Sequence, residues 1–363
     1  MKPGAKVAVF VALGALVGCA NVQSVQPMAT DYETCASPSW VAAQAALAKG
    51  DRVGARSLLL ETLRACPDFV PAHLALIESA RDGDGTVEKE VQQFYRDFPW
   101  RSATPVADLV RARLSRNDKE RVESLEAALA KDPSFYFASL DLGAVWSAND
   151  RISKALASYE SAVQAKPASW RANLGLARVL HQIGRSEDAA PSFARALNAM
   201  PVDAVERAAA AREFVALQLY ELRDPKPAVV WIDELQKAAP QDVSLLMDRA
   251  AAHWLSRDRD QAAAVYRRVL EIEPSEFRAA LCLGNLFFDR PNRSAEEKRR
   301  DWPRARLAYL YFLDHVDRAD GPALGDGYDL LDRYVAVPCR LKMIDEAVGT
   351  RPADAPRPRL GDF

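Results

Sequence analysis

Residues 136–169 read YFASLDLGAVWSANDRISKALASYESAVQAKPAS, and residues 170–203 read WRANLGLARVLHQIGRSEDAAPSFARALNAMPVD. Set one above the other, the two stretches agree in residue type at the positions that shape a helical hairpin. Leu142-Gly143 stands over Leu176-Ala177, Trp146 over Leu180, and Ala155 over Ala189. Tyr159 stands over Phe193, Ala162 over Ala196, and Pro167 over Pro201. Within each stretch the apolar residues recur at helical spacing on both sides of a polar turn, Asn149-Asp150-Arg151 or Ile183-Gly184-Arg185. Proline cannot continue a helix, so Pro167 and Pro201 end the second helical segment and turn the chain. One helical hairpin, repeated, is the reading.

Working outward, prolines that close apolar helical stretches fall at 67, 99, 133, 167, 201, 240 and 274, at intervals of 32, 34, 34, 34, 39 and 34 residues. A further unit from Val243 carries Ala250, His253, Ala262, Tyr266, Val269 and Pro274, and another carries Leu283-Gly284, Phe287, Ala305 and Tyr309. This period and this order of small and aromatic residues resemble the tetratricopeptide-repeat (TPR) family. The resemblance implies an all-α solenoid of about eight helical hairpins with a C-terminal capping helix. A small residue such as Gly143 or Ala177 lets the paired helix approach. Tyr159 and Phe193 then fill the gap toward the following unit, because one hairpin cannot bury its own apolar face.

The flanking units are less regular. The first, near 36–68, keeps Gly50-Asp51, Ala55, Leu59 and Pro67 without large aromatics, and the next two are accepted on spacing. Five extra residues before Pro240 are assigned to a longer helix or turn near Ala204–Ala208. Nine more fall in Asp289–Pro303, which is charged and reads as a loop between helices. Beyond about residue 318, Tyr328–Val337 reads as a helix whose Leu330, Leu331 and Tyr334 cover the last repeat. The expected organisation is residues 1–18 as a leader, 19–35 as a tether, 36–318 as the array, 319–348 as the cap and 349–363 as a disordered tail.

The leader has its own logic. Lys2 and Lys6 precede an apolar run, Val7–Val17, too short to span a bilayer but suited to a secretory signal. Leu16-Val17-Gly18-Cys19 then resembles the lipobox of bacterial lipoproteins, which implies lipid on Cys19 as the first mature residue. Ordinary cleavage after Ala20 and an uncleaved anchor are the rival readings. Ala20, rather than Asp, after the cysteine implies sorting to the outer membrane, facing the periplasm. Export would remove two lysines and no acid, moving the net charge from −2 to −4. An oxidising compartment permits disulfides. Cys35 precedes the first helix of the first unit and Cys66 ends its second, so an antiparallel hairpin makes them neighbours that can pair, with separate thiols the alternative. Cys282 and Cys339 form a second candidate pair.

Composition narrows the function. The chain has 363 residues, 49% hydrophobic and 27% charged, with no basic excess of the kind that nucleic-acid binders carry. Four histidines, no paired metal-ligand spacing and no nucleophile or phosphate-loop motif argue against an enzyme, a bound metal or a cofactor. The family resemblance implies a concave face lined by the first helix of each hairpin, which takes a protein or peptide partner. Carried over by helix offset, that face comprises Arg171, Leu174, Arg178, His181 and Gln182, then Glu213, Leu217, Tyr220 and Glu221. It continues with Met247, Trp254 and Leu255, then Arg278, Leu281, Asn285 and Phe288. Two roles stay open: a lipid-anchored interaction scaffold in the cell envelope, or an accessory subunit of an envelope secretion or assembly complex.

Overall fold

The computed structural model describes residues 32–81, 85–100, 104–289, 294–316, 328–352 and 355–359. The leader and Cys19 lie outside them, as do the side chains of Leu330, Leu331 and Tyr334. Every regular element among the described residues is a helix. The helices fall into two compact units, residues 1–114 and 115–363.

Unit one holds α1 (Pro38–Ala48), α2 (Arg52–Ala65), α3 (Val70–Arg81), α4 (Gly85–Asp97) and α5 (Val106–Leu114). Helices α1 and α2 form a hairpin around Gly50, whose φ of +76° is open to glycine without a Cβ penalty. Asp51 then caps α2, its carboxylate accepting from the Gly54 amide at 2.9 Å. A disulfide joins Cys35, ahead of α1, to Cys66 at the end of α2, with Cα atoms 6.2 Å apart. Leu59, Leu63, Val70 and Leu76 form the fully buried apolar centre. Beside it His73 sits inside an aromatic box of Tyr95, Phe98 and Trp100, its ring stacked on Trp100.

Unit two begins with α6 (Asp118–Lys131), so the third period divides between the units. It continues through α7 (Tyr136–Ala148), α8 (Ile152–Ala165), α9 (Trp170–Gln182), α10 (Ser186–Ala199), α11 (Arg207–Ala216) and α12 (Pro225–Ala238). After these come α13 (Val243–Leu255), α14 (Arg259–Ile272), α15 (Phe277–Phe288), α16 (Ala295–Val316) and α17 (Tyr328–Val348). From α7 to α16 they pack as successive hairpins, and α17 lies on α16. The lock between hairpins is visible at Tyr159 on α8. A Cβ on Gly143 of α7 would stand 2.7 Å from its ring, and one on Gly175 of α9 would stand 2.3 Å from it. Tyr309 meets Gly284 in the same way, at 2.6 Å. One aromatic ring thus needs a bare backbone on the helices it joins.

Two expectations change and one is narrowed. Of the longer helix or turn expected near Ala204–Ala208, the structure has the turn. Residues 201–206 make a turn ahead of α11, and a π-helical turn, Leu217–Glu221, closes it. The charged stretch read as a loop is helical from Ala295 onward. Ser294 Oγ accepts from the Glu297 amide at 3.2 Å, while Glu297 accepts from the Ser294 amide at 2.9 Å. That reciprocal pair is a capping box, which starts a helix two turns before the repeat pattern resumes. Finally, α17 runs to Val348, through Pro338, well past the expected end at Val337.

Candidate functional site

The first helices of unit two, α9, α11, α13 and α15, carry the residues that the repeat offsets select. Not all of them reach the surface. Leu174, Leu217 and Leu281 are 4%, 1% and 2% exposed and belong to the core between hairpins. The polar positions are exposed but engaged with one another across neighbouring first helices. Arg178 grips Glu213 with two hydrogen bonds, 2.8 and 2.7 Å, and His181 Nε2 lies 2.6 Å from Glu221 Oε1. Ser186 also donates to Glu221. The Tyr220 hydroxyl donates to Asp248 at 2.7 Å, and Arg212 pairs with Asp242 at 2.8 Å. Burial raises the Asp248 carboxyl above its ordinary range, against the Tyr220 hydrogen bond and the Arg212 charge. In contrast, the hydrogen bond to Glu213 keeps the Arg178 guanidinium firmly charged.

Other offset residues do something local. Arg171 lies over the ring of its neighbour Trp170, and Arg278 pairs with Glu276 two residues before it. Gln182 is exposed at the end of α9, while Met247 is partly buried against the core. Phe288 stacks on Trp302 of α16 at 5.3 Å, with the Arg340 guanidinium 5.4 Å from its ring centre. Cys282 and Cys339 are unbridged.

Tyr220 and Trp254 are different. They are 53% and 45% exposed, the only exposed aromatic side chains among the described residues. Both stand at a pocket of about 510 Å³, within the size range of ligand sites. Leu219 and Tyr220 come from the π turn that follows α11, Arg223 from just beyond it, and Ala251, Trp254 and Leu255 from α13. Tyr266 of α14, Cys282 and Asn285 of α15 and Asp289 just after it complete the lining, with Arg340 of α17. A shallower hollow of about 600 Å³ runs along α17, lined by Pro338, Leu341 and Lys342, and has no aromatic in its wall.

Two features of this pocket escape the repeat pattern. The π turn changes the helical phase after Leu217, so that Leu217 and Leu219 stay buried while Tyr220 faces out. Its sequence trace is the 39-residue interval, which gives the excess but not its location. Arg340 is the second. It pairs with Asp289 at 3.2 Å, donates to Tyr309 Oη at 3.0 Å and donates to Asn285 Oδ1. Nothing in a repeat register assigns a residue beyond the repeats to the face of the last one. Among the described residues no group of His, Cys, Asp and Glu could hold a metal ion, and no helix is long and apolar enough to cross a membrane.

Comparison with known proteins gives one family match: residues 140–204 fit the model described as tetratricopeptide repeat. No curated protein sequence matches the chain. Similar solved structures include YrrB, titled a TPR protein with an unusual peptide-binding site. It is 16% identical over 55% of this chain and 95% of its own, with a TM-score of 0.43. A MamA fragment from Desulfovibrio magneticus is 13% identical over 51% of this chain and 97% of its own, TM-score 0.41. The type IV pilus biogenesis factor PilW is 14% identical over 71% and 93%, TM-score 0.33. The matched segment is the one that holds the Gly143–Tyr159–Gly175 lock, and the helical hairpins repeat on both sides of it. Over residues 140–204 the chain is thus similar to the tetratricopeptide-repeat family.

Proposed function

We propose that this chain is a protein-interaction scaffold whose binding face is the first-helix side of unit two, and that lipid on Cys19 holds it in the cell envelope. One observation carries the first half. A fold that buries or half-buries its other described aromatics leaves Tyr220 and Trp254 exposed together at the lip of one pocket. Exposed aromatics beside a pocket are the groups that supply most binding energy at protein interfaces. The ion pairs Arg178–Glu213 and His181–Glu221 extend the same face with polar groups that can exchange partners.

Anchoring is supported by the sequence at the amino terminus, where the apolar run leads directly into Leu16-Val17-Gly18-Cys19. The Cys35–Cys66 disulfide fits an oxidising compartment, as export would provide. Ala20 after the cysteine favours the outer membrane as the destination. No catalytic role enters this reading.

In-cell photocrosslinking tests the binding face, with a photoreactive residue placed at Arg178, at Trp254 and, as a control, at Val230, which is exposed on the second helix α12. A defined partner should be captured from Arg178 and Trp254 and not from Val230. Capture from Val230 alone would move the interface to the other side. Metabolic labelling with palmitate should mark the wild-type chain and not Cys19→Ser; an unlabelled wild-type chain removes the anchor.

A further inference from the structure

We infer that the pocket formed by α11, α13 and α15 is an anchor site for one aromatic side chain of an extended partner peptide, with an adjacent peptide carboxylate held by Arg223. This rests on the reading of the first-helix side as the binding face, and it names what that face recognises. The floor is apolar, made by Leu219, Ala251 and Leu255. The lips are two aromatic rings, and the hydroxyl of one, Tyr220, is already satisfied by Asp248. What remains of Tyr220 for a ligand is its ring face, which suits another ring.

The polar groups of the pocket decide the charge of the occupant. Asp289, the carboxylate at the rim, is paired with Arg340. Asn285 Oδ1 accepts from both Arg340 and Tyr309, the latter at 2.9 Å, which leaves its amide nitrogen as a donor with no acceptor among the described residues. Arg223 is exposed, lines the pocket and has no ion pair among the described residues. Its φ of +56° is one that residues other than glycine seldom adopt, and it stands two residues after the π turn that exposes Tyr220. So the pocket offers donors whose acceptors must come from outside, while the charge of its one carboxylate is offset by Arg340. A cationic ligand would meet Arg223 and Arg340; a carboxylate beside a ring complements both the charge and the apolar floor.

The test uses the full chain and a fluorescein-labelled peptide, Gly-Ser-Gly-Phe-Glu-Gly-Ser-Gly with blocked ends, followed by fluorescence polarisation. Saturable binding is expected, weakened about tenfold or more by replacing Phe with Ala in the probe or by Trp254→Ala. Arg223→Glu should weaken it several-fold and should bind better when the probe's Glu is changed to Lys, a recovery that a merely structural role would not produce. Unchanged thermal unfolding of the variants shows that the fold is kept. If Trp254→Ala does not fold, the charge swap at exposed Arg223 decides alone. Absence of saturable binding up to millimolar probe, or equal binding of the Phe and Ala probes, overturns the inference. So does self-association of the chain that the probe displaces, because the occupant is then a second copy. Partner crosslinks from Trp254 together with a silent probe would sink this pocket chemistry and leave the binding face standing. Loss of both would remove the two together.

Discussion

Tyr159 shows how much of a repeat protein's stability is concentrated in single contacts. Its ring lies where a Cβ on either Gly143 or Gly175 would have to be, so both glycines are needed for space and neither for backbone freedom. Gly175→Ala should therefore destabilise unit two by about 1–3 kcal/mol, since overpacking against the buried Tyr159 ring outweighs the gain of about 1 kcal/mol in helix propensity. Urea unfolding checks this, and a neutral or stabilising Gly175→Ala would show that Tyr159 is free to shift. Gly184 is the contrast: a Cβ there meets nothing, and its φ of +77° alone makes alanine costly. In unit one the telling residue is His73, with Nε2 2.8 Å from the Pro67 carbonyl and Nδ1 3.2 Å from the Tyr95 hydroxyl. Burial pushes its pKa down to about 4, against the Pro67 hydrogen bond and the nearby Asp68 charge. The folded chain then binds this proton less readily than the unfolded chain. The stabilising effect is complete above pH 6.5 and is lost as pH falls toward 4, at up to about 1.4 kcal/mol per pH unit and roughly 3 kcal/mol in all. His73→Gln should flatten that part of the pH dependence of unfolding. If both proteins lose stability with the same slope, His73 does not titrate as described.

Helices were legible where their signals were local and repetitive. From Tyr136 to Pro201 the small, aromatic and proline positions recur at one period, and the hairpins form where they recur. The start of α16 was legible in principle, since Ser294 and Glu297 stand three apart as a capping box requires, but charge in Lys298-Arg299-Arg300 reads equally as a solvated loop. What tips the balance is Trp302, 8% exposed and stacked on Phe288, a contact between elements that no local pattern carries. Ser294→Ala should cost about 1 kcal/mol and speed amide exchange in the first turn of α16 only; exchange spread along the whole helix would mean that the cap, not Trp302, holds it. The binding face was legible to the extent that it follows the register. Tyr220 and Trp254 stand at offsets that the repeat selects, whereas Leu174, Leu217 and Leu281 share those offsets and are core. Offset fixes a direction on an ideal helix, and burial depends on how closely the next hairpin sits.

At the scale of the molecule, a repeat array gathers its stability from neighbours, so a local perturbation should stay local. The Cys35–Cys66 disulfide makes this testable because it spans 31 residues and closes on the first hairpin alone. Cross-linking a loop of that length removes enough freedom from the unfolded chain to stabilise the fold by about 3–4 kcal/mol. Reduction should therefore act on α1 and α2, whose packing otherwise rests on small side chains such as Ala43 and Ala55 together with Leu59 and Leu63. Hydrogen exchange followed by mass spectrometry, with and without dithiothreitol, should show faster exchange through residues 38–65. Helices from α7 to α16, which hold one another through the tyrosine–glycine locks and their own hydrophobic clusters, should keep their protection. Loss of protection throughout unit two on reduction would mean that the chain unfolds as a single cooperative body, and nearest-neighbour energetics would then be the wrong description of it.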